Sequence, residues 1–181
     1  MSIEQFNLNA GQRAERKLLI TVAEWKEDST TVREILGRRT EDSSIDYNPD
    51  LETTTDILGI NYTDMNRTQP QQDFDPFLVL GGSKLGAKLN DIRRRNALSE
   101  LSDFTVYIIT AFVGESGAYA AERHTGCTIA YNSIGGDANV NFPISVYYSN
   151  NIVTGTVDKL SDDFTFTPDE GQGTTTTTTS W

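Results

Sequence analysis

FTVYIITAFV, residues 104–113, carries apolar side chains on both of its alternating faces. A strand with one face in water shows apolar residues at every second position only, so this pattern predicts a central strand covered on both sides. Val106, Ile108 and Phe112 are its expected core residues. Upstream, 84–95 reads as a helix: Ser83 is placed to cap it, and Leu85, Leu89 and Ile92 fall at the i, i+4, i+7 spacing of one face. Its outer face is basic, with Lys84, Lys88 and the run Arg93, Arg94, Arg95, and the last turn suits the negative end of the helix dipole.

Further strands follow from β-branched and aromatic content. They are expected at 17–25 (KLLITVAEW, with Leu19 in the core), at 52–63 (ETTTDILGINYT, with Gly59 marking a bulge), at 127–131, and at 142–148. In the last of these, Phe142, Ile144, Val146 and Tyr148 alternate with more polar neighbours. Closing strands are expected at 151–157 and 164–167. The count is about seven or eight strands and one helix, which predicts a mainly β chain, a β-sandwich or partial barrel flanked by that helix.

Between the first two strands, 27–56 is a long polar excursion with acids far outnumbering Arg33, Arg38 and Arg39. Few apolar side chains fix a register there, so it is expected as a long hairpin or loop with a mobile tip. Residues 1–16 read as an arm that orders by docking, 17–167 as one β-rich domain, and 168–181, ending GQGTTTTTTSW, as a low-complexity flexible tail.

The chain has 181 residues, enough for one domain with a core, and a net charge of -11 from 15 basic and 26 acidic residues. Such a field repels a polyanion, which weighs against nucleic-acid binding by phosphate neutralisation. One cysteine, Cys127, excludes an intrachain disulfide and suits a reducing compartment. No signal peptide or run of ~20 apolar residues stands out, so the chain is expected to be made in the cytoplasm and not to enter a membrane.

Catalytic chemistry finds no support in this pattern, and neither a cofactor nor a metal is expected. His124 and Cys127 lie three apart, but a nucleophile and base need an orienting third group, and a lone cysteine opening an apolar strand is ordinarily a small core residue. The acids of 27–56 lack the spacing of an EF-hand loop. Gly81, Gly82 and Gly86 beside Lys84 and Lys88 suggest a phosphate cradle, but no GKS or GKT follows, so a turn leading into the helix is expected. The Arg93, Arg94, Arg95 run is a candidate contact with an acidic neighbouring subunit.

Three features together resemble the major tail-tube protein of long-tailed bacteriophages: TTTDILGINYTDMNRTQPQQDFDPF at 53–77, the single helix after it, and FPISVYYSNNIVTGTVD at 142–158. The resemblance spans roughly 17–167 and extends to contractile-tail and type VI secretion tube proteins. It implies hexameric rings stacked into a tube, a place in the virion tail, and tape measure, terminator and baseplate proteins as partners. It further implies that DNA transits the lumen without specific binding, for which an acidic wall is suited. On this reading Arg38, Arg39, Glu41, Asp42, Asp46, Asp50 and Glu52 belong to a loop that stacks one ring on the next. Rivals are a tail terminator, connector or baseplate subunit, and a small ligand-binding β-barrel with Trp25, Tyr107, Tyr131 and Tyr147 lining its pocket.

Overall fold

The computed structural model describes residues 6–170, with the side chains at 66 and 67 excepted. The first five residues of the expected arm and the Thr-rich stretch 171–181 lie outside the described residues.

Eleven strands and one α-helix follow in the order β1 (Leu19–Glu27), β2 (Thr30–Ile35), β3 (Ile45–Asp46), β4 (Asp50–Thr55), β5 (Asn61–Arg67), β6 (Gln71–Phe74), α1 (Lys84–Arg95), β7 (Phe104–Glu115), β8 (Ala118–Tyr131), β9 (Ile144–Tyr147), β10 (Ile152–Val157) and β11 (Phe166–Pro168). Nine form one antiparallel sheet ordered β2-β1-β7-β8-β9-β6-β3, with β10 bridging β8 and β11, and no closed barrel results. The chain is mainly β with one flanking helix.

β7 is the central strand, paired to β1 on one side and to β8 on the other. Its two faces serve two cores. Phe104, Val106 and Ile108 join Trp25, Phe74, Ile144, Val146 and the helix residues Leu85, Leu89 and Ile92 in the larger one. Tyr107 and Ile109 join Val22, Val157 and Phe164 in the smaller one. Three helix residues at 0 % exposure show why α1 forms there: one apolar stripe seals the larger core.

β8 is longer than the predicted 127–131 and forks the sheet. Residues 119–124 pair with β10 and 128–131 with β9, and between these segments stands Gly126 with φ 78. That φ is in the left-handed region, which glycine adopts without the clash a Cβ would meet. The two wings so formed close over the larger core and are tied by buried Gln72. Its Oε1 accepts from Thr21 Oγ1 at 2.9 Å and from the Tyr148 hydroxyl at 2.6 Å, while its Nε2 donates to Ser43 Oγ at 3.0 Å.

The stretch expected as one strand with a bulge at Gly59 is a hairpin. β4 and β5 pair only with each other, and Gly59, φ 76, sits in the turn between them. The polar excursion 27–56 thus resolves into the tight β1–β2 hairpin, a loop over 36–44, the short strand β3 and the first arm of this second hairpin.

Candidate assembly surface

Burial separates the β4–β5 hairpin from everything else. Among its described side chains none is buried, and Leu51 is 56 % exposed, Met65 60 %, Leu58 78 % and Ile57 fully so. A two-stranded hairpin is marginal in water without a surface to pack on. Its cross-strand pairs sort by face: Leu51 opposes Met65, Thr53 opposes Thr63 and Thr55 opposes Asn61, leaving that face uncharged. The other face pairs Glu52 with Asp64 and Thr54 with Tyr62.

At the tip, Asp56 fixes the turn. Its Oδ1 accepts from the main-chain N–H of Leu58 at 2.8 Å and of Ile60 at 2.9 Å, and its Oδ2 from the Tyr62 hydroxyl at 3.3 Å. The main-chain N–H of Ile60 chiefly, with Leu58 and Tyr62, holds this carboxyl below its ordinary value. The result is a hydrogen-bonded turn that presents Ile57, Leu58 and Ile60 to water.

The seven residues assigned to a stacking loop do not share one element. Arg38 and Arg39 form an exposed turn after β2, and Glu41 and Asp42 continue that loop. The loop is fastened to the body, since Thr40 Oγ1 donates to Pro76 O at 2.8 Å and Ser43 Oγ to Asp73 O at 2.7 Å. Asp46 lies in β3 opposite Gln71. Asp50 and Glu52 alone stand on the free hairpin. The residues the sequence reading passed over are Asp56 and the apolar set around it.

At the far end of α1, Arg95 is engaged internally, 2.7 Å from Asp91 and 2.9 Å from Glu100. Lys88 also reaches Glu100 at 2.7 Å, and the two cations push the Glu100 carboxyl down to about 2. Arg93 donates to Asn90 at 2.9 Å. Of the core set, Val106, Ile108, Phe142 and Ile144 are buried and Leu19 packs half-buried against the larger core, whereas Phe112 is half-buried beside the exposed Phe6, ring centroids 5.7 Å apart.

His124 and Cys127 do not form a nucleophile–base pair. The imidazole Nδ1 stands 3.0 Å from Ser149 O and Nε2 3.3 Å from Glu122, while Cys127 Sγ donates to the His124 carbonyl at 3.4 Å. Burial raises the thiol above its usual range, away from the thiolate. The glycine turn before α1 is likewise no open phosphate cradle, because Glu34 fills it: Oε2 accepts from Leu85 N at 2.7 Å and Oε1 from Ser83 Oγ at 2.9 Å. No group of three or more His, Cys, Asp or Glu placed to hold a metal ion occurs among the described residues. The four aromatics proposed for a pocket do not converge, since Trp25 belongs to the larger core, Tyr107 to the smaller, and Tyr147 is exposed.

The described residues thus form a core-filled β body with one hairpin whose described side chains lie outside the core. No protein-family model matches the sequence, and no curated protein matches it. Solved structures that the chain resembles include the following two. One belongs to the sheath–tube complex of an extracellular contractile injection system, PVC, in the extended state, 13 % identical with TM-score 0.47 over 81 % of this chain and 94 % of that chain. The other belongs to the baseplate of the anti-feeding prophage (AFP), 8 % identical with TM-score 0.41 over 81 % of this chain and 97 % of that chain.

Proposed function

We propose that this chain is the structural subunit of a tail tube, whose copies associate side by side into hexameric rings that stack around a bore conducting DNA. The observation that carries this reading is the β4–β5 hairpin, an ordered element with every described side chain outside the core and its apolar residues in water. Exposed apolar surface of this kind marks a protein contact site, and the acidic excess suits a wall that must not retain DNA. The residues proposed for ring stacking divide on this reading: Asp50 and Glu52 move with the hairpin, while Arg38, Arg39, Glu41, Asp42 and Asp46 contribute from the body. Arg93 and Arg94 are proposed as contacts with an acidic neighbour, Arg95 being engaged within its own chain. Tape measure, terminator and baseplate proteins are the partners this role requires.

Negative-stain electron microscopy of the purified protein over a concentration series tests the proposal, with light scattering alongside. Hollow rings or tubes are expected. A chain that remains monomeric at every concentration and salt level overturns it.

A further inference from the structure

A cleft opens between β2 and the start of α1, lined by the half-buried apolar side chains of Ile35, Leu78 and Leu80 and by the exposed cations Arg38 and Lys84. Beside it Val79 and Val140 are exposed and joined, Val79 N donating to Val140 O at 3.0 Å, so the apolar surface continues outward. Two acids also line the cleft. Glu34 is engaged by Ser83 and Leu85, and Asp162 faces Lys84 at 3.7 Å with both groups about half exposed.

We infer that the tip of the β4–β5 hairpin of one copy, Ile57, Leu58 and Ile60, seats in this cleft on a second copy. The inference rests on the self-assembly reading above and names the surface that receives the hairpin. Charge complementarity supports the choice of a second copy as occupant. Over the hairpin, 50–67, four acids, Asp50, Glu52, Asp56 and Asp64, stand against one base, Arg67, and the cleft presents Arg38 together with Lys84, which shares its charge with Asp162 at 3.7 Å. The apolar tip matches the apolar lining, while the acidic flanks meet the cations. Position supports it as well. The hairpin leaves the sheet beside β3, the last strand in the order, and the cleft borders β2, the first. Donor and acceptor on different edges make a head-to-tail contact, which closes into a ring or runs on as a filament. Strands of this length project roughly 20 Å at the rise of an extended chain, enough to cross to a neighbour.

The test uses the full chain with Leu58→Cys on one preparation and Val79→Cys on another, mixed and oxidised. Cys127, at 0 % exposure, does not compete. The inference expects a cross-linked heterodimer from the mixture, a cross-linked ladder from the double variant, and for Leu58→Asp a rise of about tenfold in the concentration needed for assembly. Circular dichroism checks that each variant is folded. Rings or tubes without the 58–79 cross-link overturn the tip-in-cleft contact and leave the tube reading standing. Cross-linked open chains without rings uphold the contact and overturn the tube reading. Absence of both overturns both.

Discussion

At the scale of single residues, two polar side chains, half-buried Glu34 and buried Gln72, hold together elements far apart in sequence. Glu34 supplies the anion at the N-terminus of α1, receiving the Leu85 N–H and the Ser83 hydroxyl, so the local cap Ser83, which also accepts from Gly86 N at 3.1 Å, is itself positioned from β2. Glu34→Ala is expected to lower stability by about 1–2 kcal/mol, because one helix N–H loses its partner. Urea denaturation measures this, and an unchanged midpoint would show the contact to be dispensable. Gln72 acts likewise between the wings. Gln72→Leu leaves the Thr21 and Tyr148 hydroxyls without their acceptor, with an expected loss of about 1–3 kcal/mol, whereas Leu89→Ala, cutting into the larger core from a fully buried position, is expected to cost about 2–5 kcal/mol. Ser83 was legible as a cap because its partner lies three residues on. Glu34, 49 residues from Ser83, was not, since no local pattern records a contact of that separation.

At the scale of elements, the helix was read to its ends because apolar spacing and capping chemistry are local. The central strand was read equally well, since apolar residues on both faces fit only a covered strand. The β4–β5 hairpin was misread as one strand because Thr, Ile and Tyr on both sides of the turn continue the same β-favouring composition. What breaks the run is Asp56 with Gly59, a turn made by side-chain acceptance of main-chain N–H groups. This turn gives a pH-dependent prediction. The Asp56 carboxyl sits below its ordinary value, so its contribution to the turn is fully present above that value and is lost as pH falls through the lowered one. Amide exchange at Leu58 and Ile60 is therefore expected to quicken in Asp56→Ala at neutral pH, and in the parent chain only under strong acid. Because none of the hairpin's described side chains is buried, the melting temperature of Asp56→Ala should match the parent's. A clear drop in it would mean that the hairpin supports the body. Replacing 51–66 by an Asn-Gly turn between the paired residues Asp50 and Arg67 removes the free portion of the hairpin and leaves Ser43 and Ile45 in place against the body.

At the scale of the whole molecule, charge decides how assembly responds to salt. Lys17, Arg33, Lys84, Lys88, Arg95 and Lys159 already face carboxylates within the chain, so what remains unbalanced is mostly negative, consistent with a net -11. Copies approaching one another meet like-charge repulsion over a range set by the Debye length, about 30 Å at 0.01 M salt and about 8 Å at 0.15 M. The proposed contacts between copies would run the other way, apolar at the hairpin tip with a few exposed ion pairs at its flanks, and exposed pairs contribute about 0–1 kcal/mol each. Screening therefore removes more repulsion than attraction. Raising salt from ~0.01 to ~0.15 M should lower the concentration at which light scattering detects assembly, with little further change once the Debye length is shorter than the spacing between charges. An assembly that instead dissolves as salt rises would show that ion pairs, not the apolar tip, join the copies, and would shift the contact from the hairpin to the basic end of α1 at Arg93 and Arg94.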